Sequence, residues 1–128
     1  MNIHIKVIDH QEQRYPTVGD WQYDKNGDLH IHVSRMSDWR YELLVARHEL
    51  EEAVLCKQMG IEQKAVDEFD LEFERQRDKG LVLSTAEPGD HRFAPYRHPH
   101  NYATGSERMM AHALGVEWAD YELELNGL

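Results

Sequence analysis

The sequence feature that most constrains the fold is a His-Glu-x-x-Glu motif at positions 48–52, inside a segment with helical periodicity. At about 100° per residue, one apolar stripe forms with His48 and Glu52 in its centre. The stripe consists of Tyr41, Leu44, Val45, Leu55, Cys56 and Met59. A second stripe consists of Leu43, Leu50 and Val54. Two stripes predict a helix that is covered on two sides.

The central position of His48 and Glu52 requires a partner for each, because burying an unpaired charge is costly. A helical His and a Glu four residues later point the same way and can hold one metal ion. Glu49 projects about 100° around the helix from His48, so it can reach a water at the metal as a general base does in His-Glu-x-x-His proteases. The alternative is a buried His48–Glu52 ion pair with Glu49 on the surface.

The third metal ligand is left open by the sequence. A catalytic zinc needs three protein ligands and one open position. His100 is the first candidate, because it opens an amphipathic helix, faces inward and follows an irregular loop. Asp70 is the second candidate, as a carboxylate on the inner face of the preceding helix. His98 and His91 come after these two, and either can instead bind substrate or face solvent.

The same region supplies candidates for supporting roles. Glu107 shares the helix face of His100 but lies two turns away, so we expect it to hold His48 or Arg97 in place. Tyr96, Arg97 or His98, all close to the irregular loop, are candidates for stabilising an oxyanion.

The N-terminal third of the chain predicts strands. Residues 3–8 alternate between apolar and polar side chains, as in a half-buried strand. A hairpin follows, and a three-residue loop with Gly27 in the left-handed conformation keeps one apolar face. That register pairs Trp21 with Ile31 and Tyr23 with Leu29. With helices to follow, the fold class is α+β: an antiparallel sheet of about three strands packed against three to four helices.

Capping residues and periodicity predict the helices. Ser37 or Asp38 begins the motif helix, which runs to about Met59, before Gly60. The remaining predicted elements are a helix at about 62–78, a short strand at 81–83, a helix at about 100–114 and a final helix carrying Trp118, Tyr121 and Leu125.

Composition limits the classes of partner. The 128 residues are expected to form one domain, 1–128. A formal net charge of −10 argues against nucleic acid or an anionic membrane as a partner. Cys56 is the only cysteine, so no internal disulfide forms and a buried thiol is expected. Residues 1–10 lack the apolar core of a signal peptide, which predicts a cytoplasmic protein.

Several segments carry a resemblance to a known group. They are residues 39–42 (Trp-Arg-Tyr-Glu), 48–53 (His-Glu-Leu-Glu-Glu-Ala), 87–90 (Glu-Pro-Gly-Asp), 94–96 (Ala-Pro-Tyr), 100–104 (His-Asn-Tyr-Ala-Thr) and 107–108 (Glu-Arg). Through them, most of the chain resembles small uncharacterised proteins of bacteriophages and prophages. The resemblance implies a phage or prophage origin in a bacterial host cell, and it brings no activity with it.

The motif helix by itself is similar to the active-site helix of zincin metallopeptidases. The chain departs from that pattern at Glu52, where zincins carry their second His. A carboxylate is a harder ligand than imidazole, so the expected divalent metal is zinc, with manganese or iron as alternatives.

Two functions follow from these observations. The first is a metal-dependent hydrolase, a zincin-like metallopeptidase that acts on a peptide or protein with Glu49 as general base. The second is a non-enzymatic phage accessory or binding protein, with a structural metal or a buried His–Glu ion pair.

Overall fold

Three strands and four helices build the α+β fold that the sequence predicts, in a computed structural model that describes residues 1–128. The strands are β1 (Ile3–Ile8), β2 (Gly19–Tyr23) and β3 (Leu29–Ser34). The helices are α1 (Trp39–Met59), α2 (Gln63–Asp78), α3 (Arg97–Ala113) and α4 (Trp118–Asn126).

The sheet has the order β1-β3-β2. The hairpin register is the predicted one, with Trp21 opposite Ile31 and Tyr23 opposite Leu29, and Gly27 has a φ of 81°. The sheet is mixed rather than wholly antiparallel, because β1 runs parallel to β3. The chain reverses direction twice between β1 and β3, and β1 pairs with the edge of β3 opposite β2. Both β1 and β2 are therefore edge strands.

Helix α1 is covered on two sides, as predicted, because it packs against the sheet and against α3. Asp38 caps its first turn by accepting a hydrogen bond from the Arg40 N–H, and Gly60 ends it with a φ of 70°. The stripe extends into solvent at the last turn, where Met59 is 53% exposed.

Two predicted element boundaries are wrong. Residues 81–83 form a bend and irregular backbone instead of a strand, and both leucines, Leu81 and Leu83, are largely exposed, with no neighbouring strand to pair with. Helix α3 begins at Arg97 instead of about 100. Pro99 falls in its first turn, where the missing N–H breaks no helical hydrogen bond. His100 therefore lies within the first turn of α3.

Helix α4 packs its aromatic side chains into the core, against α1. Tyr121 is fully buried between Trp118 and Tyr41, with ring centroids 5.2 and 5.3 Å away. Cys56 is buried too, and burial raises the pKa of its thiol to about 12. None of the four helices combines the length and the apolar character that crossing a bilayer requires.

Candidate metal centre

Three side chains from two packed helices converge at one point. They are His48 and Glu52 from α1 and His100 from α3. Three of their atoms, His48 Nε2, Glu52 Oε2 and His100 Nδ1, lie 3.2 Å from one another. Glu52 and His100 are each 5% exposed. The structure therefore brings His100 together with His48 and Glu52, and its role as a ligand stays a prediction.

This triangle fits a metal ion. Tetrahedral zinc with ligand atoms at about 2.0–2.1 Å separates those atoms by about 3.3 Å, close to the distances found here. No fourth His, Cys, Asp or Glu atom belongs to the group. The residues present could therefore hold a divalent metal ion through three protein ligands.

Hydrogen bonds alone satisfy the triangle poorly. Glu52 Oε2 is an acceptor and can take a proton from each imidazole. Two ring N–H groups would then face each other across the 3.2 Å between His48 Nε2 and His100 Nδ1. A cation in place of these protons interacts with all three lone pairs. The arrangement favours a metal over the simple His48–Glu52 ion pair.

The atoms that face away from the triangle are held by other side chains. The His48 Nδ1–H donates to Glu107 Oε1 at 2.7 Å, and the Tyr121 hydroxyl donates to Glu107 Oε2 at 2.5 Å. Trp21 Nε1–H donates to Glu52 Oε1 at 3.0 Å. Such outer partners fix the tautomer and orientation of metal ligands. The predicted contact between Glu107 and His48 is present.

Sequence reasoning missed two of these partners. The sequence predicts Trp21 on the apolar face of the hairpin and Tyr121 on the final helix, and both side chains are buried. It does not predict their hydrogen bonds to Glu52 and Glu107. The usable signal was chemical, because a buried indole N–H or phenol O–H usually has a hydrogen-bond acceptor.

Residues 87–90, which precede α3, lie close to the His100 ring. His100 Nε2 lies 3.2 Å from both Glu87 Oε2 and Asp90 Oδ1. Between them, a Cβ on Gly89 would come within 2.4 Å of the imidazole ring, so only glycine permits this approach. The sequence offered Glu87 and Asp90 only as part of a resemblance, without a role.

Asp70 does not join the triangle. It accepts hydrogen bonds from the hydroxyls of Tyr96 at 2.5 Å and Tyr15 at 3.2 Å. Burial raises the pKa of Asp70 to about 7, although both tyrosine hydrogen bonds act to lower it. His91 and His98 are exposed and lie outside the group as well. Tyr96, a candidate for the oxyanion, is buried with its hydroxyl on Asp70.

Glu49 lines the same cavity as the three ligands, and that cavity has a volume of about 510 Å³. Its side chain passes close to Gly19, where a Cβ would lie 2.7 Å from Glu49 Cγ. Burial raises the pKa of Glu49 well above its usual range, and the nearby Glu52 carboxylate raises it further. A carboxyl group whose pKa is raised holds a proton more readily, which suits a group that accepts one from water.

The neighbours of the three ligand residues shift the pKa values of these residues in the metal-free protein. Burial opposes ionisation of Glu52, but hydrogen bonds from His100 and His48 outweigh it and lower its pKa to about 2. Burial also acts to lower the pKa of His100, yet Glu52 and Glu87 raise it to about 10. The pKa of His48 rises through Glu107 and Glu52 despite its burial. Metal binding must therefore displace protons from both rings.

The charge of the cavity also favours a cation. Its lining is rich in Asp and Glu, while Arg108 is the only Lys or Arg there.

Comparisons with protein-family models, with curated proteins and with solved structures found no match for this chain. The chemistry of the site therefore carries the functional interpretation, and the resemblances to phage proteins and to the zincin helix stay predictions.

Proposed function

We propose that this protein is a metal-dependent hydrolase of zincin-like type that cleaves an amide bond in a peptide or protein. The observation that carries the proposal is the triangle of His48, Glu52 and His100, with 3.2 Å edges and an open fourth position, next to Glu49 in one cavity. A phage or prophage origin and a cytoplasmic setting belong to the proposal and rest on the sequence alone.

Each residue has a distinct role in this mechanism. His48, Glu52 and His100 would hold a divalent ion, which when bound would supply the Lewis acidity that polarises a carbonyl and makes water more acidic. Glu49 takes a proton from the attacking water and passes it to the leaving amine. Glu107 and Trp21 keep His48 and Glu52 oriented throughout the reaction.

The edge of β2 supports a peptide as the substrate. The backbone N–H of Tyr23 points away from β3 and donates to Gln63 Oε1. Alternation along an antiparallel strand then directs the N–H groups of Gly19 and Trp21 to the same edge, where a peptide would displace the Thr17 hydroxyl that donates to the Gly19 carbonyl. Both residues line the cavity of the metal centre, so an extended peptide can pair with this edge and reach the site.

The three ligands help to identify the metal and to choose between an enzyme and a non-enzymatic accessory protein. Two imidazole nitrogens and one carboxylate oxygen suit zinc, with manganese and iron as alternatives. A structural zinc site closes with four protein ligands. The three ligands found here support catalysis over a non-enzymatic accessory protein with a structural ion.

The test compares Glu49→Gln with Glu51→Gln on the same helix. Glu51 is bound to Arg47 and Ser106 and lies outside the ligand group, so it is a matched control. Zinc content is measured by elemental analysis, and hydrolysis with a pool of internally quenched peptides. We expect Glu49→Gln to keep the zinc and to lose hydrolysis by about 10²–10⁴-fold, while Glu51→Gln keeps both. Wild-type protein that binds no metal, or equal hydrolysis by Glu49→Gln, would overturn the proposal.

A further inference from the structure

The second ring nitrogen of His100 has an unusual environment. The residue is 5% exposed, and its Nε2 has no hydrogen-bond partner. Two carboxylate oxygens, Glu87 Oε2 and Asp90 Oδ1, nevertheless lie 3.2 Å away. At that distance both oxygens must lie beside the direction in which the ring nitrogen points, because neither meets the angle of a hydrogen bond.

The local fold holds these groups together. Residues Pro88–Asp90 form a single 3-10 turn that packs against α3. The turn brings Glu87 and Asp90 to one side of the imidazole, while Gly89 lies against the ring. The three atoms lie within 4.8 Å of one another and form a second group with the composition of a metal site.

We propose that His100 Nε2, Glu87 Oε2 and Asp90 Oδ1 form a second divalent-cation site, so that His100 bridges two ions. His100 uses Nδ1 for the first site and Nε2 for the second. A neutral imidazole keeps one ring proton, which leaves to solvent when the second ion binds. The two cations stabilise the resulting imidazolate. One nitrogen and two oxygens suit zinc or manganese.

The second site differs from the first in exposure. The side chains of Glu87 and Asp90 are 56% and 62% exposed, whereas that of Glu52 in the first site is 6% exposed. Water competes for the exposed ligands, so the second ion binds more weakly and exchanges faster. When bound, it fixes the 3-10 turn to α3 and holds His100. The proposal rests on the proposed function only through this shared residue, because its other ligands are separate.

The experiment counts ions in protein stripped of metal and titrated with zinc chloride, by calorimetry and by elemental analysis after gel filtration. We expect two ions per chain, the second bound at least tenfold more weakly than the first. The double variant Glu87→Gln/Asp90→Asn should keep the tight ion and lose the weak one. The matched control is Glu117→Gln/Asp120→Asn, which removes two exposed acids at the same spacing and should still bind two ions.

A second readout reports the bridge itself. Loaded with copper(II), two ions that share one imidazolate couple their spins and weaken the paramagnetic resonance signal per ion. The signal per ion should return to that of isolated copper in Glu87→Gln/Asp90→Asn. In His48→Ala the tight site is lost, and we expect one weakly bound ion.

Three results would overturn the second site. Wild-type protein that binds one zinc, lost in His48→Ala, leaves the proposed function standing and rejects the bridge. A double variant that still binds two ions rejects the assigned ligands. Wild-type protein that binds no metal at all rejects the proposed function together with the bridge.

Discussion

Two buried polar clusters line the same cavity, and they handle charge in opposite ways. In the first, three ligand atoms of His48, Glu52 and His100 lie 3.2 Å apart, and protons on both rings would bring two N–H groups face to face. In the second, the Asp70 carboxylate accepts from two hydroxyls, those of Tyr15 and Tyr96. The donors of the first cluster do not satisfy all three of its atoms, whereas the second cluster is satisfied by its own donors.

The contrast shows that burial alone does not identify a metal ligand. Asp70 and Glu52 are both buried carboxylates on inward helix faces. Glu52 is paired with imidazoles, which hold a lone pair once deprotonated and are good metal ligands. Asp70 is paired with phenols, which keep their protons, because burial and the Asp70 carboxylate raise the pKa of Tyr96. The nature of the neighbours therefore separates the carboxylate that could hold a metal ion from the one that could not.

The largest expected effect tests this contrast directly. His100→Ala removes one of three ligands and should weaken zinc binding by about a thousandfold, more than the tenfold to hundredfold typical for outer partners. Asp70→Asn should change zinc affinity less than about threefold, because Asp70 lies outside the ligand triangle, and the Asn side chain can accept from one tyrosine hydroxyl and donate to the oxygen of the other. Competition with a chelator of known affinity measures both.

Glu52→Gln is the second variant for this test, in case His100→Ala does not fold. Circular dichroism of each variant checks the helices. Equal losses of zinc affinity in Asp70→Asn and His100→Ala would mean that both clusters hold the ion.

The next effect concerns the pH dependence of the metal-free protein. Asp70 has a folded pKa of about 7, above its ordinary value, so the folded state retains this proton longer than the unfolded state. Wild-type stability therefore falls as pH rises from about 4 to about 7, and the loss remains above that. Asp70→Asn cannot ionise, so relative to wild type it should gain about 2–4 kcal/mol between pH 4 and pH 8.

Urea unfolding at pH 4 and pH 8 measures this gain. Glu68→Gln, with a side chain 67% exposed on the same helix, is the control and should show no such difference between the two pH values. A pH-independent difference between Asp70→Asn and wild type would show that Asp70 stays ionised among its tyrosines.

The smallest effect separates the outer partners of the two clusters. Glu107→Gln weakens the acceptor for the His48 Nδ1–H and should lower zinc affinity tenfold to hundredfold. Tyr15→Phe removes a donor from Asp70 and should leave zinc affinity unchanged. The same chelator competition resolves both, and an unchanged affinity in Glu107→Gln would remove Glu107 from the centre.

Local sequence signals were sufficient for the α1 helix and its two ligands. Asp38 and Gly60 mark its ends, and four-residue spacing places His48 and Glu52 together. The sequence also predicts His100 as the first choice of third ligand, because it opens an amphipathic helix, faces inward and follows an irregular loop. Its actual distance from His48 depends on how α1 and α3 pack, which no local pattern encodes.

Longer-range features were beyond local reasoning. The parallel pairing of β1 with β3 depends on which edge of the hairpin β1 joins, and alternation along one strand is the same for both edges. The partners of Asp70 come from residues 15 and 96, far apart in the chain. Glu87 and Asp90 required the tight turn at Gly89 to reach His100.

The distance in sequence between the ligands has a consequence for folding. Glu52 and His100 are 48 residues apart, and the only cysteine of the chain has no disulfide partner. An ion that joins them acts as a reversible crosslink, and closing a loop of this length in the unfolded chain is worth about 4 kcal/mol by chain-entropy reasoning. The supply of metal in the cell would then set how long each copy of the chain survives proteolysis.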